Sequence, residues 1–277
     1  MTQCAAMTRK EGTGRTALVT GASAGIGTEL ARVFAEHGFD VVLTARREDR
    51  LRSVAAAIER EFGVETQIIP ADLADPSAPQ ALFDEIVRRS LTIDALVNNA
   101  GYGVPSTFRK NEWKTHAIFL QVMIHAVAHL THLFEPGMTE RRWGRILNVS
   151  SLAGLVPGAA GHTLYGAAKS FLVKFSESLA LEHRRDGVHV TALCPGFTYS
   201  EFHDVLGNRK LVSKLPSPLG MDAKTVAREG YRAVMDGKIV HVPGGVNRAI
   251  AGASRLVPEN VALAVVKRTS RRIRVGD

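Results

Sequence analysis

A tyrosine and a lysine stand four residues apart in Tyr165-Gly166-Ala167-Ala168-Lys169. On a helix that spacing puts both side chains on one face, one turn apart. A free phenol titrates near pH ~10, too high for an acid or base at neutral pH, and a neighbouring ammonium favours the phenolate. The pair can make Tyr165 a proton donor to a carbonyl oxygen, with Lys169 as the charge that tunes it. The plain alternative is a core tyrosine beside a chance lysine. A second stretch, Gly21-Ala22-Ser23-Ala24-Gly25-Ile26-Gly27, carries glycines that let a backbone turn tightly and approach a pyrophosphate. A helix starting there would offer free N–H groups and its positive dipole end to phosphates.

The elements around these stretches decide how much weight they bear. Thr16–Thr20 reads as a short apolar strand that runs into the glycine turn, followed by a helix from about Ile26 to Glu36 that Gly38 stops. Strand 40–44, helix 49–62 closed by Gly63, strand 66–70, helix 77–89 and strand 94–98 follow. A long helix over about 111–134, ended by Pro136-Gly137, leads to strand 144–150 and the helix with Tyr165 and Lys169. Strand 188–194, a loop-rich insertion over 196–220, helix 222–235 and a last strand over 238–242 complete the alternation, and the final stretch reads as a helix broken at Pro258. Strands alternating with helices predict an α/β fold, a doubly wound parallel sheet of about seven strands with helices on both faces. The strands are continuous apolar runs, as doubly buried strands should be. We expect a flexible lead-in over 1–15, one domain over 16–245 with the insertion 196–220 as a substrate lid, and a basic helical extension over 246–277. Ligands of such sheets lie at the carboxyl ends of the strands, where both stretches fall.

The chain has 277 residues, 45% hydrophobic and 22% charged, enough for a full core. Its net charge is +8, and from His241 onward seven Arg and Lys face two acids. A solvated basic helix end explains that tail, and an anionic membrane surface or an acidic acyl carrier is the sharper reading. No motif or aromatic-basic interleaving points to nucleic acid. Cys4 and Cys194 form no disulfide framework, which with the polar first fifteen residues predicts a cytoplasmic protein, peripheral to a membrane at most. The apolar run 117–134 is interrupted by Gln121, His125, His129 and His132, so it reads as a helix buried in protein rather than a membrane span.

The second strand selects between nicotinamide cofactors. A carboxylate at its end would accept from a ribose 2′-hydroxyl; here it ends Thr44-Ala45-Arg46-Arg47. Arg46 suits a 2′-phosphate, Ser23 adds a hydroxyl, and NADP(H) is the expected cofactor.

These residues together resemble the short-chain dehydrogenase/reductase family, and within it an NADP-linked bacterial type. The matching stretches are Thr20 to Gly27, Asp72-Leu73, Asn98-Asn99-Ala100-Gly101, Ser150-Ser151-Leu152-Ala153-Gly154, Tyr165 to Lys169 and Cys194-Pro195-Gly196, in the family's order. The resemblance implies a Rossmann-type fold and a set of roles. Ser151, Tyr165 and Lys169 would be catalytic. Ser151 would bond the substrate carbonyl, and Lys169 would lower the pKa of Tyr165 and hold the nicotinamide ribose. Gly21, Ser23, Ala24, Gly25, Ile26 and Gly27 would cradle the cofactor, with Arg46 on its 2′-phosphate. Asp72 and Leu73 would meet the adenine, Asn99 and Ala100 would lie by its ribose, and Pro195, Gly196 and Thr198 would frame the nicotinamide amide. The family's helical asparagine is replaced here by Met123, which is only a weak acceptor. Met123→Asn is therefore expected to raise turnover.

Three features have simpler readings. His125, His129 and His132 share the i, i+4, i+7 face of a helix, which suits packing or a subunit interface better than a metal. Cys194 reads as a small buried apolar side chain. The long helix is expected to pair with its copy in a homodimer or homotetramer. Apolar residues Phe197, Phe202, Val205, Leu206, Leu211, Val212, Leu215 and Leu219 in the lid, with Leu152, Leu155 and Val156 opposite, suit an apolar ketone, aldehyde or alcohol. The expected activity is reversible NADPH-dependent reduction of such a carbonyl, a 3-oxoacyl or other lipid-like compound first and a steroid or other hydroxy compound next. A catalytically weak NADP(H)-binding protein is the non-enzymatic alternative.

Overall fold

The sheet begins where apolar residues face both ways. In β1 (Thr16–Thr20), Ala17 and Val19 point to one side and Leu18 to the other, and all three are fully buried. The same split recurs across β2 (Asp40–Thr44), β4 (Ala95–Asn98), β5 (Gly144–Val149) and β6 (Val188–Leu193), so the sheet separates two apolar cores. With β3 (Thr66–Ile68) and β9 (Val240–His241) it forms a seven-stranded sheet in the order β3-β2-β1-β4-β5-β6-β9, with every pair parallel. The computed structural model describes residues 10–104, 107–199, 220–258, 260–261, 263–264 and 266.

One face carries α1 (Gly25–Glu36), α2 (Glu48–Phe62) and α7 (Ala223–Met235), whose Phe34, Leu51, Ile58 and Tyr231 fill the first core. The other carries α3 (Ala78–Arg88), α4 (Trp113–Leu120), α5 (Ala126–Glu140) and α6 (Thr163–Glu182). Gly63 caps α2 in the left-handed conformation, φ 68°. The Asp222 side chain accepts from Thr225 N at 2.8 Å to cap α7.

Two expectations change. The long helix does not end at Pro136: helical geometry runs from Trp113 to Glu140, interrupted by one π-helical turn at Gln121–His125. Met138, fully buried beneath Gly144, holds the turn beyond the proline. This helix has the length and composition of a membrane span. It nevertheless buries Phe119, Val122, Met123, Ala126, Leu130 and Phe134 in the protein, as a core helix does. The insertion 196–220 is also not loop throughout. Its ends pair as a two-stranded parallel ribbon, β7 (Phe197–Tyr199) with β8 (Gly220–Asp222), a non-local pairing that local sequence does not announce. The chain closes with α8 (Gly245–Leu256), which ends before Pro258 as the sequence predicts.

Candidate active site

β5 ends at Val149, and the two serines that follow take different partners. Ser150 donates from Oγ to Lys169 O at 2.7 Å, pinning α6 to the strand end. Ser151 is extended (φ −162°), accepts from Ala153 N at 3.1 Å and donates weakly to Pro195 O at 3.5 Å. It also shares a hydrogen bond with the Tyr165 phenol. Gly154 lets this turn lie on α6, because a Cβ there would stand 2.6 Å from the Lys169 backbone. Lys169 is buried; its Nζ donates to Val149 O at 2.7 Å and lies 5.7 Å from the centre of the Tyr165 ring. Ser151, Tyr165 and Lys169 thus converge, as the sequence predicts.

Their electrostatics differ from expectation. Burial pushes the Tyr165 phenol above its ordinary value, and the hydrogen bond from Ser151 opposes it. The phenol is not brought below the ordinary range, because its own desolvation outweighs the hydrogen bond that favours the phenolate. Burial lowers Lys169 to about 8, with the nearby Cys194 sulfur acting in the opposite direction. Cys194 is fully buried, and burial pushes its thiol up to about 12, so it behaves as the apolar filler expected of it.

The glycine turn is fastened from beneath. Thr20 Oγ1 accepts from Asn99 N at 2.9 Å and Ala100 N at 3.0 Å, and Asn99 Nδ2 donates to Thr20 O at 2.9 Å and Gly21 O at 3.3 Å. The Asn99 amide therefore holds the turn. Gly21 and Gly25 have φ of 66° and 57°, and a Cβ on Gly27 would stand 2.3 Å from Gly21 O. No side chain caps α1 and no acid stands in its first turn, which fits a pyrophosphate at its N-terminus. The cation beside Ser23 is Arg47, not Arg46: Arg47 Nη2 donates to Ser23 Oγ at 3.1 Å. Arg47 sits one residue on, at the extended N-cap of α2, and that turn carries it across to the glycine loop. Arg46 is exposed near Tyr102 and Asp72, whose charges act on the Tyr102 phenol in opposite directions. Asp72 Oδ1 accepts from Ala74 N at 3.1 Å, and Leu73 turns into the core. The donor set of two arginines, a serine and a bare helix end fits a phosphorylated dinucleotide.

Past β6, Pro195 O accepts from Leu152 N at 2.8 Å, Gly196 packs against buried Asn247, and Thr198 Oγ1 donates back to Gly196 O at 3.3 Å. A cleft beside Tyr165 is lined by Val104, Phe108, Asn111, His116, His162, Thr163 and Leu164. This wall is mixed, and the His162 ring stands 6.1 Å from that of Tyr165. Lid residues Phe202 to Leu219 lie outside the described residues, while Phe197 is exposed. On the outer side of the long helix His125 and His132 are exposed and His129 is partly buried. Sequence reasoning missed Arg47, Thr20, Ser150, His116, His162 and Asn247; only the doubled arginine and the strand-end threonine left a local signal.

A family profile described as short chain dehydrogenase matches residues 15–210. The chain belongs to the short-chain dehydrogenase/reductase family. It is 34% identical over 246 residues to nodulation protein G of Rhizobium sp. (strain N33), covering 84% of this chain and 97% of that one. It is 34% identical over 236 residues to the human very-long-chain 3-oxoacyl-CoA reductase, covering 83% of this chain and 73% of that one. A short-chain dehydrogenase from Sphingobium yanoikuyae, solved in complex with NADPH, superimposes with a TM-score of 0.78 at 30% identity, covering 87% of this chain and 93% of that one. The seven-stranded sheet is the Rossmann-type sheet of this family, and the protein is an oxidoreductase of the short-chain dehydrogenase/reductase type.

Proposed function

We propose that this family member is an NADPH-dependent reductase of apolar ketones or aldehydes, running reversibly as an alcohol dehydrogenase. The leading substrate class is a lipid-like 3-oxoacyl compound. The observation that carries this reading is the Ser151–Tyr165 hydrogen bond, backed by buried Lys169, at the wall of an open cleft. The 3-oxoacyl choice draws on the human and Laccaria bicolor very-long-chain 3-oxoacyl-CoA reductases, 34% and 37% identical to this chain.

The cofactor would lie with its pyrophosphate on the Gly21–Gly27 turn, its 2′-phosphate between Ser23, Arg46 and Arg47, and its adenine by Asp72 and Leu73. Asn99 and Ala100 would border the adenosine ribose, Tyr165 and Lys169 the nicotinamide ribose, and Pro195, Gly196 and Thr198 the amide. When bound, NADPH supplies the hydride. Ser151 orients the carbonyl oxygen and stabilises the negative charge growing on it. Tyr165 gives that oxygen its proton. A phenol held above its ordinary pKa is protonated at neutral pH, the state an acid needs. Lys169 then faces the phenolate left behind and stabilises it. The cysteine usage supports a reducing, cytoplasmic setting, and the exposed Trp113 at the start of the long helix supports homodimer or homotetramer assembly.

NADPH oxidation followed across 3-oxoacyl thioesters of rising chain length and small ketones tests the reading. Turnover should rise with apolar chain length, and Tyr165→Phe should lower kcat/KM by roughly 10²–10⁴-fold. Tight NADPH binding with no turnover of any carbonyl would favour a cofactor-binding protein instead. Buried Met123, at the position of the family's asparagine, is the observation behind that second reading.

A further inference from the structure

Phe108 stands in a one-turn 3-10 helix, Phe108–Lys110, on the connection between β4 and α4, and is 46% exposed. It lines the cleft beside Tyr165, where Val104 and Leu164 add apolar surface. An exposed ring on a connecting segment ordinarily moves with it. This ring is held. The buried His116, near the start of α4, stacks on it with centroids 4.4 Å apart and planes 11° apart. His116 Nε2 also donates to Phe108 O at 2.9 Å. A carbonyl only accepts, so Nε2 carries the hydrogen and the tautomer of the neutral ring is set.

Burying an imidazole costs free energy unless its nitrogens are paired. Nδ1 of His116 is buried with no hydrogen-bond partner among the described residues, so the ring's hydrogen bonding goes to Phe108 alone. Both contacts of the buried ring with Phe108, the stack and the hydrogen bond, fix the same residue. Asn111 Nδ2 steadies the same turn, donating to Thr107 O at 3.1 Å. One face of Phe108 is covered by His116, which leaves the rest of the ring to the cleft. A flat apolar surface held still beside a proton donor suits a flat ring on the substrate. Two aromatic rings gain from stacking beyond the area they bury, and a platform already fixed loses little freedom on binding. An alkyl chain gains the apolar contact without the stacking.

We infer that Phe108 is a specificity-determining residue, held in place by His116, that selects carbonyl compounds carrying an aromatic ring over their alkyl counterparts. This rests on the proposed reductase activity and narrows its apolar substrate class, aryl-substituted 3-oxoacyl compounds included. His116 is a positioning residue, acting through Phe108.

NADPH oxidation with acetophenone and with benzylacetone, each against the straight-chain methyl ketone of equal carbon number, reads the preference as a ratio of kcat/KM. The ratio should favour the aromatic ketone by roughly 3- to 10-fold in at least one pair, as expected for one aromatic stack. Phe108→Leu should bring the ratio close to one, and Phe108→Trp, which restores a flat ring, should keep it. His116→Leu should lower the ratio through the KM of the aromatic ketone rather than through kcat. A ratio near one in the parent, or one that Phe108→Leu leaves unchanged, would overturn the proposal. An unchanged ratio with an altered oligomeric state in Phe108→Leu would assign the ring to a subunit contact instead. Equal losses for both ketones in His116→Leu would remove the positioning role. Ligand-observed NMR on the protein loaded with NADP+, which cannot reduce a ketone, separates this proposal from the reductase reading. Tighter binding of the aromatic ketone that Phe108→Leu abolishes, with no turnover of any ketone under NADPH, would remove the reductase reading and leave the platform. Turnover without any aromatic preference would remove the platform and leave the reductase reading.

Discussion

Two serine hydroxyls stand side by side after β5, and their partners separate their roles. Ser150 holds the Lys169 carbonyl, while Ser151 meets the Tyr165 phenol. The Leu-Ala-Gly that follows marked Ser151 in advance, and the Tyr-x-x-x-Lys spacing is local and so was readable. Arg47 was not, because its partner Ser23 lies 24 residues away across the end of β2. If Arg47 and Arg46 hold a 2′-phosphate, Arg47→Ala should raise the KM for NADPH roughly 10- to 100-fold, as expected for about 1.5–3 kcal/mol of charge-assisted hydrogen bonding. The KM for NADH should stay unchanged. Steady-state kinetics with both cofactors checks this, and an equal rise for both would remove Arg47 from phosphate recognition.

At the level of elements, the π-turn at Gln121–His125 is the departure from plain helix geometry nearest the site. It forms with Met123 rather than an asparagine at its centre, so the backbone bend does not need that amide. Met123 is packed with Phe119 and Ala168, and its sulfur lies against Gly101. Placing an amide in that apolar cluster should cost about 1–3 kcal/mol. Met123→Asn is therefore expected to lower the thermal midpoint while raising kcat at neutral pH. An unchanged kcat with a lower midpoint would show that the proton leaves by a route that does not use this side chain. The sequence showed the helix and its outward histidines. It misplaced the end because Pro136 reads locally as a stop, whereas burial of Met138 carries the helix one turn further.

Across the whole molecule, the site exists because one sheet face buries a lysine. Burial lowers Lys169 from its usual 10.5 to about 8. Below about pH 8 both folded and unfolded states carry the ammonium, and the folded state bears the full cost of desolvating it. Between about pH 8 and 10.5 the unfolded chain holds one proton more, so this group's contribution to stability rises with pH. Lys169→Met should accordingly be more stable than the parent at pH 7, by about 3 kcal/mol at one pKa unit per ~1.36 kcal/mol. The gap should close toward pH 10.5, and urea unfolding at several pH values checks it. A gap constant with pH would mean that Lys169 titrates normally in the fold. By itself the sequence determined the order of strands and helices, the glycine turn and the tyrosine–lysine pair, because apolar periodicity and short spacings are local. The tertiary structure decided which arginine meets Ser23, what the Asn99 amide does, and how Tyr165 and Lys169 titrate. Those depend on burial and on partners far apart in the chain, and only the folded packing sets either.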